Sequence, residues 1–433
     1  MVFLKQKIND LTFKSLSIFY LISLLFFLIF SYFYLEIYIK MYPNLIDENN
    51  DIVLKSLPFH FGDLLHNLYY KNEYIQKISP FEINFHLARL PFFPLLILTL
   101  AKINLNFYFI FFMKNILSFS LIFFSFYVFL RDLKKSLFHF LILLALYWYN
   151  PYNTHVLLSL SFSDTLISVF FPLIFILINS RNLYLNFLFG IFIFCLYLLK
   201  PSIWFFCTVF PFIILFFNYI KFKKKYFIIN LSAIFFLFVA IFSWGFFGLN
   251  KSNYFPFASS SNSTNTYNLT SMLNKEFNTH YPKLSTDLLF NTEFSKNKKF
   301  KNEKEVYYFF KEENLKFIKK NPDYYLKGVF KKIQFIFFGI FEDGKHEYHN
   351  NIRYSNFPNK ILVNIALVYA FISIIRTIRN QKKVPYFDLI FLSMFFLYLA
   401  PHIIAWATSK HLVPIFLLSK IYIFSKIFKC SKF

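Results

Sequence analysis

The residues able to do chemistry are few, and most of them fall in one stretch near the N-terminus. Asp63 follows Gly62 and precedes the amphipathic stretch "LLHNLYYKNEY", which places its carboxylate at a membrane–water boundary. A carboxylate there can withdraw the proton of an attacking hydroxyl, a general-base role that contributes about 10²–10⁴-fold in rate. Around it stand Asp47, Glu48, Asp51, Glu73, Glu82, His60, His66, His86 and Arg89, each of which has a bland alternative as a solvated loop charge. Asp164, in "SFSD", opens an apolar run. It either caps the helix that follows or serves as a second carboxylate that positions a reactant. With Asp63 it could also hold a divalent cation, although the sequence spells out no metal-ligand set. Lys200 in "LLKPS", and Lys410 with His411 in "TSKHLVP", border apolar runs. Cations in such places either clamp a leaving phosphate or snorkel to lipid headgroups.

The elements that must position these residues are membrane helices. Of the 433 residues, 57% are hydrophobic and 16% charged, against about 25% charged in ordinary soluble domains. Apolar runs recur at lengths of roughly 20 residues, enough to cross a hydrocarbon core as helices. The expected architecture is an all-α polytopic membrane protein with about 10 (8–12) transmembrane helices. The candidate spans are about 15–37, 107–130, 136–150, 164–180, 183–200, 202–220, 226–248, 357–378, 386–403 and 411–428. Basic residues keep flanking loops cytoplasmic. With the N-terminus inside, every second loop is basic: Arg131, Lys134 and Lys135; Arg181; Lys221, Lys223, Lys224 and Lys225; then Arg376, Arg379, Lys382 and Lys383. Lys426, Lys429 and Lys432 continue the pattern in the C-terminal tail. Both termini are therefore expected in the cytoplasm, and Asp63, Asp164, Lys200, Lys410 and His411 on the far side.

Three regions follow: a transmembrane module over about 1–248, an extracytoplasmic region over about 249–356, and a C-terminal transmembrane module over about 357–433. The first module contains a first external loop, about 38–106, with interfacial helices, and the larger external loop falls between spans 7 and 8. The segment 86–103, with Pro91 and Pro94, is read as part of the first loop and not as a straight crossing.

Composition also excludes functions. The loops on the basic side are too short for a nucleotide-binding domain, and seven scattered glycines form no phosphate-binding loop. The 70 Phe and the net charge of +24 go with AT-rich codon usage and inner-loop lysines, so no nucleic-acid partner is expected. Cys195, Cys207 and Cys430 have neither disulfide nor zinc spacing. The sequons at Asn262 and Asn268 carry little weight in an Asn-rich stretch.

The order of short motifs resembles that of the GT-C membrane glycosyltransferases. An acidic first loop is followed by "NLYYKNEY", where that family has "NL...G.Y", and by "RLPFFPLLI", where it has "R.P.YP". Asn150-Pro151, "SFSD", "LLKPS", "KNPDYYLKGVFKKI" and "SKHLVPIF" continue in the family's order. The likeness is nearest to the protein mannosyltransferase and lipid A aminoarabinose transferase branches. It implies transfer of a sugar from a polyprenyl-phosphate donor to a glycan, lipid or protein acceptor, at a site facing the periplasm of a bacterial inner membrane. Carried over by position, Asp63 is the first-loop base with Asp51 its competitor, and Asp164 is the second acid. Lys200, Lys410 and His411 contact the lipid phosphate, and Arg89 lines the first-loop entrance. The glycine expected near Asn72 is absent, and Lys stands for Arg at 200 and 410. Two other classes compete: an O-antigen or exopolysaccharide polymerase relying on external basic residues, and a secondary transporter or lipid flippase, which predicts internal repeats.

Overall fold

The structure is a computed structural model. It describes residues 12–57, 61–77, 83–87, 89–148, 151–160, 164–178, 183–221, 224–256, 299–338, 347–380, 385–404 and 409–428. His60, Glu82, Asn150, Arg181, Lys223, Lys382, Lys383, Lys429, Cys430, Lys432 and both sequons lie outside the described residues.

The described residues are mostly helical. In order come α1 (Phe13–Met41), α2 (Phe61–Lys71), α3 (Phe92–Ile103), α4 (Phe107–Asp132), α5 (Leu137–Trp148), α6 (Pro151–Leu158), α7 (Asp164–Ile178) and α8 (Leu183–Tyr197). Then follow α9 (Trp204–Lys221), α10 (Lys224–Ser252), α11 (Glu303–Lys320), α12 (Pro322–Phe338), α13 (Glu347–Arg379), α14 (Tyr386–Ile404) and α15 (Ser409–Ile427). Between α2 and α3 two short antiparallel strands, β1 (Gln76–Lys77) and β2 (Asn84–Phe85), pair Gln76 with Phe85.

Five helical stretches among the described residues are long and apolar enough to cross a bilayer: Lys14–Lys40, Phe107–Arg131, Leu231–Ser252, Pro358–Arg379 and Tyr386–Ile404. Thr12 and Asn106 cap α1 and α4 by accepting the Ser15 and Phe109 amides, which satisfies donors that a helix start otherwise leaves open. Several apolar helices are short over the described residues. At 1.5 Å per residue, the 12 residues of α5 and the 15 of α7 reach only about 18 and 22 Å. Among the described residues of 86–103 the helical part is the 12-residue α3, which starts after Pro91.

α7 is the centre of the molecule. Every residue from Asp164 to Leu177 is buried, and the helix packs against α4, α6, α8, α14 and α15. α1 is its opposite, with only 11% of its apolar window buried. It rests on α4 through Phe19, Tyr20 and Phe27 and leaves Leu21, Phe26 and Phe33 uncovered. Such a surface suits lipid, not water.

Several helix ends meet at one end of the bundle. The Asp388 carboxylate of α14 accepts Ser373 Oγ of α13 (2.6 Å) and Tyr422 OH of α15 (2.7 Å), and it pairs with Lys426 Nζ (2.5 Å). Lys135, just after α4, donates to the carbonyl of Phe428. Lys426 is therefore no tail residue: α15 runs to Ile427, and the lysine is drawn in by a fully buried acid.

Candidate active site

The opposite end of α7 carries the candidate site, and a polar framework sets its position. Lys114, buried on α4, donates to the carbonyls of Leu157 and Ser159 (3.0 Å each) and so closes the C-terminus of α6. Thr165 Oγ1 donates to Val156 O (2.7 Å) and Ser159 O (3.1 Å). Asp164, 3% exposed, is thereby fixed at the first position of α7, where the helix dipole favours negative charge.

Two basic side chains from distant parts of the chain reach it. Lys200 Nζ lies 2.7 Å and 2.9 Å from the two carboxylate oxygens. His411 Nε2 lies 3.9 Å from Oδ1. Lys200 extends from the loop after α8, where Pro201 begins a single 3₁₀ turn. His411 stands in the first turn of α15, held by Tyr398, whose hydroxyl donates to its carbonyl (2.8 Å), and flanked by the His402 ring at 5.0 Å. Lys410 belongs to the same first turn of α15.

The first loop is stitched to this cluster. The Phe92 amide at the start of α3 donates to Leu198 O (3.1 Å), two residues before Lys200. The Arg89 guanidinium lies over the Phe61 ring, 5.3 Å from its centroid, and close enough to Lys200 for the two charges to repel. Burial lowers Arg89 to about 10, since a cation out of water loses hydration. Burial pushes the Tyr74 hydroxyl up. It stays a donor, giving its proton to Arg89 O at 2.8 Å.

Asp63 lies in the first turn of α2, half-buried and two residues from Phe61. Among the described residues it forms no ion pair, so its carboxylate is not committed elsewhere. Gly62 is needed beside it: a Cβ there would stand 2.2 Å from Lys55 O. Asn72, where the motif expects glycine, follows α2 with φ 56°. That left-handed conformation is the one glycine supplies at a helix end, and asparagine is the commonest substitute. The other motif residues also close the turn: Asn67 Nδ2 donates to Ile75 O (2.9 Å), and Tyr74 packs on Trp244 and Phe247.

The structure therefore brings Asp164, Lys200 and His411 together, with Arg89 on the stretch that leads into α3 and Asp63 on the helix that carries Arg89's aromatic neighbour. Asp51, the competing acid, sits in the same first loop, and neither its carboxylate nor that of Asp63 makes a contact with Asp164, Lys200 or His411 among the described residues. Asp51 pairs with Asn106 at the start of α4, and its amide donates to Asp47 Oδ1 (2.8 Å). Among the described residues, no three His, Cys, Asp or Glu side chains gather to hold a metal ion.

Two acids escaped the sequence reading. Glu303, in a Lys/Glu-rich run that looks solvated, is 2% exposed and bonded to the first loop. Asp388 stands in the first turn of α14 and is fully buried. Its signal was faint: an acid at the head of one apolar helix and a lysine at the foot of the next.

The chain matches no family model, no curated protein and no solved structure.

Proposed function

We propose that this chain is a membrane glycosyltransferase of the GT-C kind, moving a sugar from a polyprenyl-phosphate carrier to an acceptor hydroxyl on the extracytoplasmic face. The observation that carries the proposal is the convergence of Asp164, Lys200 and His411, residues from three separated helix ends, with Arg89 close by. Lys200 and a histidine flank one carboxylate with Arg89 on the adjoining first loop, basic surroundings of the kind that suit a carrier phosphate. The asparagine in left-handed conformation at position 72 removes one apparent departure from the family motif.

In the proposed reaction the acceptor oxygen attacks the anomeric carbon, and the carbon–oxygen bond to the carrier phosphate breaks with its electron pair leaving on the phosphate. The acceptor proton passes to Asp63. Positive charge builds on the sugar as in glycoside cleavage, and the cations hold the departing phosphate. Asp63 suits the base role better than Asp164, because a carboxylate held by a lysine at 2.7 Å is a weaker proton acceptor. Asp164 instead orients Lys200. Ten crossings, both termini in the cytoplasm and a site facing the periplasm of a bacterial inner membrane complete the proposal. The meeting of the Lys135, Asp388 and Lys426 ends away from Asp164 supports that orientation. The acceptor is a glycan, lipid or protein hydroxyl, and no metal is routed through the reaction.

The test is release of polyprenyl phosphate from a panel of polyprenyl-phosphate sugars by the chain in proteoliposomes. Asp63→Asn is expected to lower release by about 10²–10⁴-fold while the protein still inserts and melts as before. Full activity of Asp63→Asn would refute the base assignment. A polymerase relying on the basic residues would retain activity in Asp63→Asn and lose it in Lys200→Met.

A further inference from the structure

Glu303 is a buried acid that the proposed chemistry leaves unused. It opens α11, and its carboxylate accepts the amides of His86 (2.9 Å) and Leu87 (3.0 and 3.2 Å) and the hydroxyl of Ser252 (3.1 Å). A carboxylate removed from water is tolerated only when its lone pairs are filled, and these donors fill them at a helix N-terminus that favours the charge.

What these bonds hold lies just ahead of Arg89. His86 Nδ1 also donates to Tyr74 O (3.0 Å), while Tyr74 OH donates to Arg89 O (2.8 Å). His86 is thus tied to both Glu303 and Tyr74, Leu87 to Glu303 and Arg89 to Tyr74. Three residues after Arg89, the Phe92 amide is bonded to Leu198 O, two residues before Lys200.

We propose that Glu303 is a positioning residue for Arg89. By pinning His86 and Leu87 it sets how close the guanidinium stands to Lys200, and so how tightly the site holds a lipid-borne phosphate. This rests on the phosphate reading of the site. Glutamine at 303 keeps the shape but turns an N–H donor toward partners that are themselves donors. Aspartate keeps the charge on a shorter stem.

The experiment titrates a polyprenyl monophosphate against the full chain in nanodiscs and follows amide hydrogen exchange over residues 86–92. Wild type binds; Glu303→Gln is expected to bind about tenfold more weakly, with faster exchange at His86 and Leu87. Glu303→Asp falls between the two. The double variant Arg89→Gln/Glu303→Gln binds no more weakly than Arg89→Gln alone, because the latch acts through the arginine. Should Glu303→Gln not fold, Ser252→Ala removes one donor to the carboxylate and is expected to weaken binding about twofold. Wild-type affinity in Glu303→Gln, or in Ser252→Ala where it stands in, overturns the proposal, and so does full additivity in the double variant. A wild type that does not bind the phosphate overturns the phosphate reading itself, a result distinct from either.

Discussion

At the scale of residues, the Asp164–Lys200 pair has the most definite energetic consequence. Removing one partner of a buried pair strands the other charge, at a cost of about 3–5 kcal/mol. The Lys200 side chain keeps 19% of its surface open, so the lower end, about 3 kcal/mol, is expected for Lys200→Met. Replacing both residues, as Lys200→Met with Asp164→Leu, should restore much of that loss. Thermal melts in detergent measure it, and equal falls for single and double variants would show the charges to be uncoupled. The individual members of this cluster were legible in the sequence because a charged residue beside an apolar run is rare and costly. Their meeting was not, since Asp164 and His411 are far apart in the chain. Glu303 was illegible for a different reason: acids in a lysine-rich amphipathic run are usually wet, and its bonds to His86, Leu87 and Ser252 distinguish this one.

At the scale of elements, α2 is the piece that turns a motif into geometry. Its N-terminus is pressed against the backbone of residues 55–57, and a methyl group at Gly62 would meet Lys55 O at 2.2 Å. A carbonyl in a 3₁₀ turn cannot swing aside as a side chain can. Gly62→Ala is therefore expected to cost about 1–3 kcal/mol and to displace Asp63. A melting temperature and transfer rate equal to wild type would show that α2 can shift without consequence. The long helices were legible from apolar run length alone. The end of α6 at Leu158 was not, because nothing in the local composition marks it. Tertiary packing around Lys114 and Thr165, not local composition, sets where α6 ends and α7 begins.

At the scale of the whole molecule, the two ends of α15 make different contacts. One meets Asp164 through His411, and the other meets Asp388 through Lys426 and Tyr422. With α15 spanning 19 residues, these contacts lie about 22 Å apart along its axis, which gives the bundle a direction that can be tested. In a chain with its three cysteines replaced, Lys304→Cys should react with a membrane-impermeant maleimide added to intact cells. Asn380→Cys should react only after the membrane is opened. Labelling of both from outside would overturn the orientation.

The hydrogen bond between Ser252 and Glu303 has an evolutionary consequence. About 50 residues of Asn- and Ser-rich sequence separate these two partners in the chain. The entropy of bringing two chain positions together grows only with the logarithm of their separation, about 0.6 kcal/mol for each doubling. Drift in the length or wording of that stretch is therefore almost silent to the rest of the protein, whereas substitution of either residue at its base is not.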